Sequence, residues 1–195
     1  MSLKVEALRG AEIETELPAL AAARIRVFRD WPYLYEGHLD YELKYLQMYL
    51  DCPDSLAILV WDDEICVGAS TVLPLAAAPA ELQQPFIEAR IALDHVDYFG
   101  ESVLLPEYRG RGLGVKFFEL RETHARSLGL THCAFCAVDR SDTDPRKPAD
   151  YVGNDAFWAK RGYQKLPQMQ ATMDWPDVGD TASSTKSMTF WMREL

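Results

Sequence analysis

The chain lacks an excess of positive charge, a dense cysteine pattern and any long apolar run. Of 195 residues, 20 are Lys or Arg and 30 are Asp or Glu, a formal net charge of −10. General nucleic-acid binding needs a net basic face that releases phosphate counterions, and an anionic membrane leaflet also attracts basic surfaces, so neither is expected as a partner. The longest apolar-leaning stretch, around Ala69 to Ala80, is interrupted by Pro74 and Pro79 and is too short to span a bilayer. The opening Met1-Ser2-Leu3-Lys4-Val5-Glu6 has no apolar signal core, which makes the cytoplasm the expected compartment. Eleven Gly and eleven Pro are ordinary and exclude collagen-like or low-complexity classes. Cys133-x-x-Cys136 lies in the apolar run Thr131–Val138, which reads as a buried strand. Residues three apart on a strand point to opposite faces, so these thiols read as core rather than as half of a zinc or redox site, and no metal is expected.

What is present is enough chain for one domain, residues 1–195, with a core that needs no disulfide or metal staple. Element types alternate. Lys4–Leu8 is a short strand; Leu17, Ala21, Ile25 and Phe28 recur at helical spacing, as do Leu39, Leu43, Leu46 and Leu50. Ser55–Trp61 and Ile65–Leu73 read as a hairpin across Asp62-Asp63-Glu64. Residues 74–94 read as a loop with a short helical piece, and Asp97–Leu105 as a strand. Val115–Leu128 is a helix closed by Gly129, with His124 on its core seam. The strand Thr131–Val138, a short helix near Asn154–Arg161 and the strands Tyr163–Trp175 and Ser187–Arg193 complete the pattern. The order β-α-α-β-β-β-α-β-α-β-β is an α/β single domain with a mixed central sheet flanked by helices.

Charge is unevenly spread. Residues 1–103 hold 7 basic and 18 acidic side chains, residues 104–165 hold 11 basic and 8 acidic, and residues 166–195 hold 2 and 4. The one net-basic stretch contains Arg109-Gly110-Arg111-Gly112-Leu113-Gly114, which joins a strand to a helix. Glycines allow close backbone approach, and the free N–H groups of a helix start attract anions, so this segment is suited to cradling a phosphate or pyrophosphate. A P-loop is excluded because Val115 precedes Lys116 and Phe117 follows it. A dinucleotide fingerprint is excluded because no third glycine stands at the required spacing. A plain glycine-rich helix cap remains the other reading of the residues alone.

Pro106-Glu107-Tyr108-Arg109-Gly110-Arg111-Gly112-Leu113-Gly114 resembles the Arg-x-x-Gly-x-Gly signature of the GNAT N-acetyltransferase superfamily. Asn154-Asp155-Ala156-Phe157-Trp158-Ala159-Lys160-Arg161-Gly162-Tyr163 is similar to that family's Asn-led helix ending in Lys-x-Gly-aromatic. The resemblance implies acetyl transfer from acetyl-CoA, as co-substrate, to a primary amine of a small molecule or peptide. It makes Arg109, Gly110, Arg111, Gly112, Leu113 and Gly114 cofactor-binding, with the pyrophosphate on backbone N–H groups from Arg111 to Gly114. Pantetheine would lie along the strand Ser102–Leu105, on Val103, Leu104 and Leu105, as an added pseudo-strand, and Asn154 would cap its helix and touch the cofactor. Trp158 stands where relatives often carry a Tyr that protonates the leaving thiolate; indole is a very poor acid. Tyr151, Tyr33, Tyr35 or water are the substitutes, while Trp158 packs against the cofactor arm. For the base, Asp97 and Glu101 share the strand's alternation and would face one side, with Glu101 nearer the cradle.

The segment Asp139–Gly153 is longer than in relatives and serves as a lid, as a source of Arg146 or Lys147 for the CoA 3′-phosphate, or as a surface insertion. Tyr33, Tyr35 and Glu36, in the loop between the first two helices, combine ring faces with negative charge and suit a small cationic amine. Two alternatives share the cofactor: a catalytically silent acyl-CoA-binding module, and an acyltransferase using a longer acyl-CoA. The large apolar groups on both faces of Met188–Met192 are compatible with a homodimer.

Overall fold

A computed structural model describes residues 3–195. The strands are β1 (Lys4–Arg9), β2 (Leu56–Asp62), β3 (Ile65–Pro74), β4 (Val96–Leu104), β5 (His132–Val138), β6 (Gln164–Trp175) and β7 (Ser184–Glu194). The α-helices are α1 (Leu17–Phe28), α2 (Leu39–Asp51), α3 (Ala80–Glu88), α4 (Leu113–Ser127) and α5 (Asp155–Lys160). All seven strands form one sheet in the order β1-β2-β3-β4-β5-β7-β6. Every neighbouring pair is antiparallel except β4 with β5. The stretch 74–94 is more helical than its Ala/Pro/Gln composition suggests. It holds α3, with Pro85 inside it and Leu82, Pro85 and Phe86 buried.

Apolar residues cover both faces of the sheet. On one side α1, α2 and α3 pack with Leu20, Leu46, Tyr49 and Phe86 in a common cluster with Tyr98, Val103 and Cys136 of the sheet. On the other, α4 contributes Leu113, Phe117, Phe118 and Ala125, which meet Phe99, Cys133 and Phe135. Cys133 and Cys136 thus belong to opposite faces, as expected of residues three apart on a strand. His124 is buried, its Nε2 2.8 Å from the Asp54 carbonyl oxygen.

Two irregularities shape the centre of the molecule. First, β4 and β5 pair only over Val96–Tyr98 with His132–Ala134, and beyond that the two parallel strands separate. Second, β4 carries a bulge. Ser70 pairs with Ser102 and Val72 with Phe99, so Thr71 faces two residues, Gly100 and Glu101. One inserted residue reverses the alternation, and Asp97 and Glu101 therefore point to opposite faces. Glu101 bonds to Arg24 of α1 and Tyr49 of α2, whereas Asp97 feels Arg121 of α4. The expectation that both carboxylates share one side fails for this reason.

Candidate functional site

The separation of β4 from β5 opens a cleft through the sheet. A cavity of about 420 Å³ is lined by Gly100 and Ser102 of β4, Phe135 and Cys136 of β5, Tyr151 and Trp158. A contiguous cavity of about 250 Å³ shares Ser102, Tyr151 and Trp158 and runs on past Leu104 to Arg109 and Gly114. The β3–β4 register determines which backbone groups face this opening. The Leu105 N–H donates to Val67 O at 2.9 Å, and bonded pairs alternate with unbonded ones in an antiparallel ladder. Counted back from that bond, Ser102 and Leu104 turn their N–H and C=O groups away from β3 and into the gap, while Val103 is buried against the α1 side.

At the end of the cleft, Gly110 and Gly112 have φ of +75° and +82°, and a Cβ on either would meet no atom within 4 Å. A side chain is therefore refused there by backbone conformation, and the space beside the loop stays open. Gly112 precedes α4, and Lys116 N–H already bonds to Gly112 O, which leaves the preceding amides of Leu113, Gly114 and Val115 at the helix start. Arg109 Nε donates to Leu104 O at 3.1 Å and Arg111 Nη2 to Glu107 O at 3.0 Å, bracing the loop with two guanidinium groups that remain exposed. Leu105 is buried beneath this turn. Open amides, positive charge and an unpaired strand edge form one continuous groove that fits an elongated, phosphate-bearing molecule such as a coenzyme A thioester.

Asn154 lines both cavities, but its side chain makes no capping hydrogen bond to α5. Trp158 packs edge-on against Phe135 and Trp191 at centroid distances of 5.1 and 5.2 Å. Tyr151, from the long segment before α5, lies edge-on to Trp31 at 6.2 Å, and burial raises its phenol above the ordinary value. Arg146 and Lys147 are engaged by acids: Arg146 with Asp144 and Asp177, Lys147 with Asp142. They do not stand free for a phosphate. Arg140 completes the arrangement, donating to the carbonyls of Pro32 and Tyr33 and, with two nitrogens, to Asp177. Lys186 adds a third cation to Asp177 at 3.1 Å. Burial alone would raise the Asp177 carboxyl, but hydrogen bonds from Arg140, Arg146 and Lys186 hold it well below the usual range. The segment 139–153 is thus tied to the α1–α2 loop over the cleft.

Below Gly100, on the α1–α2 side, a narrower pocket of about 70 Å³ shares Tyr33, Gly100 and Cys136 with the cleft and is otherwise walled by Tyr35, Tyr98 and Trp175. At its base the Arg24 guanidinium lies over the rings of Phe28 and Tyr45 and is paired with both Glu42 and Glu101. Glu101 also accepts from Tyr49 Oη at 2.7 Å and from Thr71 Oγ1, so both its oxygens are occupied. Tyr33 and Tyr35 therefore meet in this pocket, whereas Glu36 pairs with Arg29 outside it. Asp97 is fully buried, with neither oxygen hydrogen-bonded, and burial pushes it up to about 8, against the pull of Arg121. It lines none of these cavities. Cys136, at the junction of cleft and pocket, is pushed by burial up to about 12, against the lowering effect of its contact with Tyr98 Oη at 3.3 Å. Arg24, Glu42, Tyr45 and Arg121 were not marked by any motif; polar residues at inward helical positions are the only sequence signal they leave.

Among solved structures, the chain is similar over its whole length to a GNAT-family acetyltransferase from Streptococcus pneumoniae, at 12% identity and a TM-score of 0.60 with all of that chain covered. The chain has the GNAT fold. It also matches an acetyltransferase from Salmonella typhimurium solved with its cofactor acetyl-CoA, at 11% identity and a TM-score of 0.58, covering 100% of this chain and 95% of that one. The PaiA N-acetyltransferase from Thermoplasma acidophilum, in complex with coenzyme A, matches at 14% identity and a TM-score of 0.55 with both chains fully covered. No family model matches the sequence, and no curated protein does. In GNAT-fold terms, the split strands are β4 and β5 and the glycine turn opens α4. No helix among the described residues is long and apolar enough to cross a membrane.

Proposed function

We propose that this chain is an acetyl-CoA-dependent N-acetyltransferase that acetylates a primary amine. The observation that carries the reading is the continuity of the unpaired β4 edge, the left-handed glycine turn at one end and the aromatic pocket opening at Gly100. Arg109, Arg111 and the amides of Leu113 and Gly114 would hold the pyrophosphate, and Ser102 and Leu104 the pantetheine arm. When bound, acetyl-CoA supplies an activated acetyl group: the amine nitrogen forms a bond to the thioester carbon, the C–S bond breaks, and the electron pair leaves on sulfur. Tyr151, in place of the phenol missing at Trp158, donates the proton that the thiolate takes up, and solvent in the open cleft carries the proton shed by the attacking nitrogen back to the tyrosinate. Direct transfer is favoured over an acyl-cysteine route because the Cys136 thiol, up at about 12, stays protonated near neutral pH.

The acceptor enters through the pocket of Tyr33, Tyr35 and Trp175. Arg24 against Glu42 and Glu101 leaves one net negative charge at its base, which favours a small cationic amine over an acidic one. Glu101, saturated with donors, serves this charge balance rather than acting as a free base. The decisive experiment pairs calorimetry of acetyl-CoA binding with thiol release over a panel of cationic, neutral and acidic amines. Binding with turnover on cationic amines is expected; turnover confined to acidic or uncharged amines overturns the acceptor assignment, and absence of binding overturns the whole reading. The packing of Trp158 among Phe135 and Trp191 favours one second reading, a silent acyl-CoA-binding module, which binding without turnover would establish. The small volume beyond Gly100 argues against a longer acyl chain.

A further inference from the structure

Arg121 occupies an inward position of α4, where packing against the sheet calls for an apolar side chain. It is 1% exposed, with its guanidinium 4.0 Å from the ring centre of Phe99 and 5.0 Å from that of Phe118. Nε donates to Phe117 O at 3.3 Å, Nη1 donates to Glu101 O at 3.2 Å, and Nη2 is buried without a partner. Among the described residues Arg121 forms no ion pair, and Asp97, whose carboxyl its charge pulls down against burial, has both oxygens unpartnered. A buried guanidinium without a paired anion is costly to keep, so its placement under the cleft calls for a role.

The group it does bind is the carbonyl at the β4 bulge. Glu101 O also accepts from Ser70 Oγ at 3.0 Å, so two donors, one of them charged, draw electron density from the Glu101–Ser102 peptide. In a planar trans peptide the N–H points opposite to the C=O, and this N–H belongs to Ser102. The register already turns Ser102 away from β3 and toward the gap, and Ser102 lines both parts of the cleft.

We propose that Arg121 is a positioning residue: by donating to the Glu101 carbonyl from within α4, it polarises the Glu101–Ser102 peptide and aims the Ser102 N–H at the thioester oxygen. The inference rests on the acetyltransferase reading for the identity of that oxygen, but the polarised peptide belongs to the chain itself. Arg121 neither gains nor loses a proton; the amide it sharpens meets the negative charge that develops on oxygen as the C–N bond forms.

The test uses Arg121→Met and Arg121→Lys in the full chain. In ligand-free protein the Ser102 amide proton resonance moves upfield in Arg121→Met and returns toward the wild-type position in Arg121→Lys. With acetyl-CoA and a productive amine, kcat falls about 10- to 100-fold in Arg121→Met while CoA affinity holds, and Arg121→Lys recovers part of the loss. An unmoved Ser102 resonance, or a kcat equal to wild type, overturns the proposal. If Arg121→Met does not fold, Arg121→Gln is read in the same way. Failure of wild-type protein to bind acetyl-CoA defeats the acetyltransferase reading, while the ligand-free resonance still decides whether Arg121 polarises the peptide.

Discussion

Replacing Gly100 with alanine tests the geometry of the bulge directly. A Cβ on this residue would overlap Tyr49 Oη and lie 2.9 Å from Thr71 Oγ1. Both side chains are fully buried, and Tyr49 Oη donates to Glu101 Oε2 at 2.7 Å with Thr71 Oγ1 2.9 Å away. The methyl can be accommodated only by moving the phenol off the carboxylate. Overpacking of this kind costs about 1–3 kcal/mol, and the lost hydrogen bond to a charged group about 1.5–3 kcal/mol, which together give about 3–5 kcal/mol. For a chain of this length each kcal/mol lowers Tm by about 2–4 °C, so a drop of roughly 10 °C is expected in thermal unfolding, with a matching shift in the urea midpoint. A double-mutant cycle with Tyr49→Phe isolates the cause. With the hydroxyl gone, the nearest remaining Tyr49 atom is Cζ at 3.2 Å, so the double variant should be about 2 kcal/mol more stable than the sum of the single losses predicts. A Gly100→Ala protein within about 0.5 kcal/mol of wild type, or strictly additive effects in the cycle, would refute the reasoning.

Gly112→Val should lose most CoA affinity in calorimetry while remaining folded, because φ of +82° at the turn disfavours a β-branched residue and its side chain would crowd the groove. Asp177→Asn should destabilise by about 3 kcal/mol, since it leaves Arg140 and Lys186 without their shared anion, and limited proteolysis should cut faster within 141–152. Asp97→Asn should change the pH profile of stability. With the folded carboxyl raised to about 8 from an ordinary 3.8, the folded state holds a proton that the unfolded state has released. Wild-type stability therefore falls from pH 4 to pH 8, by at most about 1.4 kcal/mol per unit, and urea melts of the Asn variant should lack that fall.

Much of the architecture is legible in the residues. The hairpin of β2 and β3, the helix α4 and the core strand β5 each announce themselves by period or punctuation, and Gly110 and Gly112 take the conformations that only glycine holds cheaply. The functional centre is less legible because it depends on exceptions to period. The bulge at Gly100 is a single extra residue, and nothing in Tyr98-Phe99-Gly100-Glu101 tells an alternating strand from a reversed one. Reading straight through it puts Asp97 and Glu101 together, whereas the extra residue sends one to α4 and the other to α1 and α2. The apolar seam of α2 is equally misleading. Leu39 is exposed, while Glu42 of the same helix is fully buried, because Arg24 supplies from α1 the charge that makes burial tolerable. Such a partnership across 18 residues has no signature along the chain. Tyr151, by contrast, is visible as a candidate, and it lines the same cavities as Trp158.

The early divergence of β4 and β5 also bears on how the molecule survives in company. Past Tyr98 and Ala134 each strand presents unpaired N–H and C=O groups inside the sheet, and such edges are templates on which any extended peptide can add. The Arg140–Asp177 tie holds segment 139–153 and residues 32–33 across that opening. The roof thus covers the edge against a strand from a neighbouring molecule. Loss of the tie is expected to leave that edge open to self-association as well as to weaken the fold.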